Sequence, residues 1–403
     1  MFSDDQSAID RSFRFLVISR ATRSASIIFV NLSLSLYLRD LGLSLVMIGV
    51  AYFFIVLFNV FISIAFGMLG DRIGYARTMI IAELLPASSF FVLAFSKNVY
   101  AIVLAAMVGG ITGSPGGMRG AFSPGMTSYI ARNWSNEAER ISRLSKVYSV
   151  SSLSAIAGSA MLIFHSRLAV VYGQIGAFRV LYLISALMAC VSLISLLFLK
   201  ERRGPRKATR IMRRESLGYS LRIIAPNMVN GAAVGISFPL LPLWFELAYR
   251  VSSGMIGAVF TSAYLFSSVG SFVSGRIIIS GRLRAITLSS GARLIQGALL
   301  IAMAFSPSFL LAAAIYSLRS FIAGAGMPAR SAVSIRGINE EDYGTASAVQ
   351  GTFSRSSQLT SGLSGYLMSQ WIDLPLIAGG LIQMAAALMF FELIRSWERS
   401  HGY

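Results

Sequence analysis

Residues 44–77 read SLVMIGVAYFFIVLFNVFISIAFGMLGDRIGYAR. From Leu41 to Gly70 no side chain carries a charge, and the run stops on Asp71-Arg72. A bilayer core needs ~20 consecutive apolar residues in a helix to cross it. The run is therefore a membrane span that ends where charge begins. Outward from it the same pattern repeats. The 403-residue chain is 55% apolar and only 13% charged, with mean hydropathy +0.68. A soluble domain carries roughly 25% charged residues. So little charge cannot solvate a globular surface, and so much apolar content excludes disorder.

Twelve spans are expected, near 13–38, 44–69, 78–96, 98–122, 145–165, 176–199, 219–245, 252–275, 285–306, 308–330, 345–370 and 373–394. Ser306-Pro307-Ser308 marks a tight turn between the ninth and tenth. Of the 35 Lys and Arg, 24 fall in segments on the N-terminal side of the membrane and 5 on the other. Cytoplasmic loops collect basic residues, so both termini are expected inside. The fold class is all-α integral membrane, and the localisation expected is a multi-pass protein of the plasma membrane. The opening MFSDDQSAIDR lacks a basic n-region and reads as a short retained cytoplasmic tail.

The net charge of +18 belongs to these loops. No basic stretch forms a soluble domain of its own, so nucleic acid is not an expected partner. Cys190 is the single cysteine, and no intrachain disulfide can form. His165 and His401 are the only histidines, which leaves no material for a zinc site or a histidine-centred triad. No cofactor is expected, and no enzyme activity.

The longest charged segment, Lys200 through Arg214, lies at mid-chain and contains the helix-breaking pair Gly204-Pro205. It divides the chain into an N-terminal six-helix bundle (1–199), a basic cytoplasmic linker (200–216) and a C-terminal six-helix bundle (217–403). A shift of 204 residues superposes Arg72 on Arg276, Gly120 on Gly324, Pro124 on Pro328, Arg132 on Arg336, Glu137 on Glu341 and Gly158 on Gly362. These landmarks occupy matching places in each half, as an internal repeat requires.

The stretch after span two supplies a more specific signal. Gly67 suits close helix approach, Asp71 and Arg72 end the span, and Gly74 permits a tight turn. This segment resembles the signature G-x-x-x-D-[RK]-x-G-[RK]-[RK] of the major facilitator superfamily (MFS). It matches at Gly67, Asp71, Arg72 and Gly74 and departs at Tyr75 and Ala76, with Arg77 one place late. The second half keeps only Gly275-Arg276. The resemblance covers the whole chain and implies two pseudo-symmetric bundles that alternate access to a midplane site lined by spans one, four, seven and ten. It also implies a monomer, and Asp71 docking near Gly344 and Thr345 at the start of span eleven.

An ionisable residue inside a span is costly and is a functional candidate by default. Arg20, Arg23 and Asn31 share a face of span one. Arg119 lies in span four beside the stripe Gly109, Gly113, Gly116 and Gly120. Asn227 and Asn230 share a face of span seven after Pro226, which can loosen the helical ladder there, and Arg319 lies in span ten. On the architecture that the resemblance implies, Arg23, Asn31, Arg119, Asn227, Asn230 and Arg319 line the substrate cavity. Guanidinium suits carboxylate or phosphate through paired hydrogen bonds. The competing roles are snorkelling for Arg20 and Arg23, an ion pair with Glu83 for Arg119, and bonds to backbone carbonyls for Arg319. Arg293 and Arg355 read as structural. Glu83, in span three, is the coupling candidate for a co-transported proton or ion, against a structural pair with Arg77 or Arg119.

The expected function is secondary active transport of a small solute, an organic anion on the strength of the arginines. The alternative is an efflux antiporter of lipophilic or drug-like compounds, supported by the Met- and Phe-rich spans. The chain has no G-x-x-x-x-G-K-[ST] loop of its own for ATP.

Overall fold

The computed structural model describes residues 2–112, 122–134, 137–201, 213–279, 284–339 and 342–401. Every regular element among them is helical. In chain order these are α1 (Phe2–Asp40), α2 (Leu45–Ile73), α3 (Tyr75–Phe95), α4 (Val99–Gly109), α5 (Phe122–Asn133), α6 (Glu137–Leu197) and α7 (Arg214–Ser237). There follow α8 (Leu241–Tyr249), α9 (Ser253–Ile279), α10 (Ala285–Ala304), α11 (Phe309–Ile335), α12 (Tyr343–Ser356), α13 (Ser361–Gln370) and α14 (Leu374–His401). A 3-10 turn, Ser357–Thr360, joins α12 to α13.

Among the described residues, eight helices are long and apolar enough to cross a bilayer. The expected twelve spans follow from how helices break. At about 1.5 Å per residue, the 61 residues of α6 would reach roughly 90 Å, three times a bilayer core. It breaks at Gly173 (φ 72°, ψ 168°), which gives spans five and six. Helices α4 and α5 flank residues 113–121 in span four, and α7 and α8 form one span bent by 41°. Helices α12 and α13 share span eleven across the 3-10 turn.

Three local expectations differ from what is observed. The opening tail is helical from Phe2, and its Ile9 and Phe13 are buried with Met126, Tyr129 and Trp134. Asp10 accepts from the Trp134 indole at 2.8 Å and from Arg143 at 2.7 Å, so the tail is docked. The loop expected over 166–175 shrinks to the single break at Gly173, because Ser166–Tyr172 contains neither Pro nor Gly and stays helical. Pro226 does not interrupt α7, which bends only beyond Ser237. The turn between α10 and α11 is where Ser306-Pro307-Ser308 puts it, and the Ser308 hydroxyl accepts from the Leu311 amide at 3.4 Å.

The chain divides into two compact units, Met1–Leu43 with Phe54–Ala208, and Ser44–Phe53 with Thr209–Tyr403. Each has an apolar cluster. Tyr129 and Trp134 in the first cluster correspond at the 204-residue shift to Val333 and Ile338 in the second. Arg132 pairs with Glu201, just past α6, at 3.3 Å, and its counterpart Arg336 pairs with Glu398, near the end of α14, at 2.5 Å. The repeat is thus written in packing and in charge.

Candidate functional site

In the first unit the polar cluster is built on α1. Arg20 and Arg23, 1% and 3% exposed, lie inside the helix packing rather than extending to a headgroup region. Snorkelling is therefore not what they do. Burying a guanidinium demands a partner, since its desolvation costs several kcal/mol (roughly, after relaxation). Arg23 donates from Nη1 to Glu83 Oε2 on α3, and the carboxylate is fully buried. The partner of Glu83 is therefore on α1, sixty residues away, rather than Arg77 as one expectation had it. Arg20 donates to Ser151 Oγ at 2.9 Å, and Ser24 lies 3.0 Å from the same hydroxyl. Arg20 Nε and Glu83 Oε1 are buried with no hydrogen-bond partner among the described residues. Asn31 is buried on the same helix, two turns on.

In the second unit the cluster spans four helices. Arg319 on α11 donates to Gln383 Oε1 on α14 at 3.1 Å, and Gln383 Nε2 donates to Asn230 Oδ1 on α7 at 3.4 Å. Arg293 on α10 donates to Asn227 Oδ1 at 2.9 Å. The guanidinium of Arg319 lies over the Phe238 ring at 4.6 Å and that of Arg293 over Phe390 at 5.0 Å, which recovers part of the lost solvation. Arg319 is bonded to a side-chain amide rather than to the backbone carbonyls allowed for above. The structure thus joins Asn230 to Arg319 through Gln383, while Asn227, three residues before Asn230 on α7, is bonded to Arg293. It places Arg23 and Asn31 on α1, while Arg119 lies outside the described residues.

Two participants escaped the sequence reading. Arg293, read as structural, belongs to the same polar stripe as Asn227. Gln383 links Arg319 to Asn230, and its signal was a lone amide inside the apolar run of α14. His165 is committed to packing, its ring centroid 3.7 Å from that of Phe178 with the planes tilted by 31°, and its Nε2 3.1 Å from the Gln174 carbonyl oxygen.

At the end of α2, Gly74 takes φ 96° and ψ 151°, a region essentially reserved for glycine, and turns the chain into α3. The opened N-terminus of α3 is capped by Glu201, which accepts from Tyr75 N at 3.2 Å and Ala76 N at 2.9 Å. A carboxylate there satisfies orphan amides and complements the helix dipole. Among the described residues, a Cβ on Gly67 would meet nothing within 4 Å, so no close helix approach is seen there. Arg72 is exposed. The expected docking of Asp71 near Gly344 falls on side chains outside those described, as do Gly113, Gly116 and Gly120. Gly109 does pack closely, with Ser89 where a Cβ would stand.

A cavity of about 490 Å³ lies against α1 and both limbs of α6, lined by Ala25, Met161, Phe164 and Leu181 among others, with Arg167 the only charged wall residue among the described residues. It includes neither Arg23 nor Glu83 and is an apolar groove distinct from the charged clusters.

Comparison with known proteins agrees with this architecture. No curated protein sequence matches the chain. A bacterial homologue of the human lysosomal transporter Spinster, inward-facing and unoccupied, superposes with a TM-score of 0.72 at 12% identity over 97% of this chain and 98% of that one. An auto-inhibited peptide transporter of the POT family gives 0.74 at 11% identity over 96% and 97%. At such identities the likeness is one of fold. The family profile of the Major Facilitator Superfamily matches residues 16–220, just over half the chain. Twelve spans in a repeated arrangement, the Gly74 turn and this profile converge: the chain belongs to the Major Facilitator Superfamily.

Proposed function

We propose that the protein is a secondary active transporter that moves a small organic anion by alternating access, its termini on the cytoplasmic side of the plasma membrane. The observation that carries this reading is the pairing pattern of the buried arginines. Arg319 lies inside an apolar unit and, among the described residues, is held by an amide and by no acid. A desolvated guanidinium so placed has its strongest remaining interaction with an anionic ligand, through charge-assisted hydrogen bonds. In the first unit Arg23 is neutralised by Glu83. A proton taken up by Glu83 would break that pair and make Arg23 available to substrate. The pair is thus suited to couple proton and anion movement, with Asn31, Asn227 and Asn230 as neutral hydrogen-bonding groups. By resemblance, Arg119 contributes from span four. Gly67, Asp71, Arg72 and Gly74 would govern the transition between states.

The apolar groove beside α1 favours a second reading, efflux of lipophilic compounds. Thermal unfolding of the purified protein separates the two. Ligands that bind the folded state raise stability according to concentration over Kd. Carboxylates and phosphate esters should raise the unfolding temperature, and Arg319→Met should remove the effect. A rise confined to lipophilic cations or neutral sugars would refute the anion reading.

A further inference from the structure

The second unit contains two buried guanidiniums, Arg293 (3% exposed) and Arg319 (5% exposed), on neighbouring helices. Each has one hydrogen bond to a side-chain amide oxygen and one aromatic face beneath it. Among the described residues no carboxylate pairs with either. Arg293 Nη1 and Arg319 Nε are buried donors with no partner there. The first unit differs, because Arg23 has Glu83.

Amide oxygens satisfy donors but do not cancel charge. Two positive charges therefore remain in this unit, each costly in low dielectric until an anion arrives. The amides also tie both arginines to α7. Asn227 and Asn230 are i and i+3 on α7, with Cβ atoms about 5–6 Å apart on one face. Arg293 attaches at the first, and Arg319 attaches at the second through Gln383. The two guanidiniums thus have separate anchors, Asn227 for one and Gln383 for the other, and separate aromatic faces, Phe390 and Phe238.

We infer that Arg293 and Arg319 form a two-cation site for a dicarboxylate, each arginine taking one carboxylate. This rests on the organic-anion reading above and adds the substrate's charge and a binding residue, Arg293. A dicarboxylate neutralises both guanidiniums, whereas a monocarboxylate of the same length leaves one buried charge uncompensated.

The experiment measures affinities of the full-length protein in detergent from concentration-dependent shifts in unfolding temperature, at physiological ionic strength so that exposed basic loops are screened. The probes are α,ω-dicarboxylates from malonate to adipate, monocarboxylates of matching length, inorganic phosphate and a lipophilic cation. The best dicarboxylate is expected to bind at least about tenfold tighter than its monocarboxylate partner. Arg293→Met should bring that ratio close to one, which a purely structural role would not do. Equal affinities in the wild type, an unchanged ratio in Arg293→Met, or phosphate binding tighter than every dicarboxylate would overturn the two-cation site and leave the anion reading standing. Binding of the lipophilic cation with no anion bound would overturn the anion reading itself. Should Arg293→Met fail to fold, the wild-type ratio and Arg293→Lys, which keeps the charge but loses the fork, still decide.

Discussion

Arg23 and Glu83 meet inside the first unit with almost no exposure, and breaking such a pair differs from removing it. Truncating one partner strands a buried charge, at a cost of about 3–5 kcal/mol. Replacing both by apolar groups of similar volume is often neutral or better. Arg23→Met and Glu83→Met should therefore each lower the unfolding temperature markedly, and the double variant should recover much of the loss. The double variant should also lose any dependence of uptake on a proton gradient. Thermal unfolding and proteoliposome uptake check the two halves of this prediction, and additive losses in the double variant would show that the pair is not coupled. The residues themselves were legible in the sequence, because a charge inside an apolar run stands out. Their partners were not. Arg77 lies six residues before Glu83 on the same helix, about 120° round it, and which neighbouring helix Glu83 faces instead is set by tertiary packing. Arg293 shows the same limit: its environment of Asn227 and Phe390 comes from two other helices.

Among elements, helix junctions carry the most information. A Cβ on Gly158 would overlap the Ala25 backbone, whereas one on Gly67 would meet nothing within 4 Å. Gly158→Ala must push α1 and α6 apart, and it should destabilise by about 1–3 kcal/mol. Gly67→Ala should be neutral or stabilising by up to about 1 kcal/mol, since glycine weakens a helix interior. Unfolding of the two variants side by side tests this, and equal losses would contradict it. Glu201 offers a second test. It caps α3 and pairs with Arg132, so Glu201→Ala should cost about 0.5–2 kcal/mol. Arg132→Ala in the Glu201→Ala background should then cost less than alone. The cap was hidden from sequence because Glu201 lies 125 residues from Ala76 and was assigned to the linker. The Gly74 turn was visible, because a glycine between a charged span end and a new apolar run has a local reason to be there. The break at Gly173 was expected more broadly, as a loop over 166–175, and that at Ser357–Thr360 was not expected at all. The second has no proline, and only packing reveals it. At the second, Thr360 donates to the Ala232 carbonyl at 2.8 Å, against an α7 face opened by Gly231 and Gly235.

At the scale of the molecule, hydropathy and the distribution of basic residues were enough for the class of fold, since a bilayer permits few other ways to satisfy the backbone. They also predict topology. With Cys190→Ser as background, a cysteine placed in Lys200–Arg214 should react with a membrane-impermeant thiol reagent from the cytoplasmic side only. One at Ser306 should react from outside only, and the reverse pattern would invert the proposed orientation. Function was less legible than fold, because the cargo is decided by a few buried side chains rather than by the pattern of spans. The central claim is that buried arginines of the second unit bind the transported anion. The most direct measurement is accumulation of a labelled dicarboxylate by proteoliposomes under an inward proton gradient, comparing wild type with Arg319→Met of verified fold. The account predicts saturable accumulation in the wild type and a loss of at least about tenfold in the variant. Equal accumulation by the two proteins, or none by the wild type while lipophilic cations are transported, would contradict it.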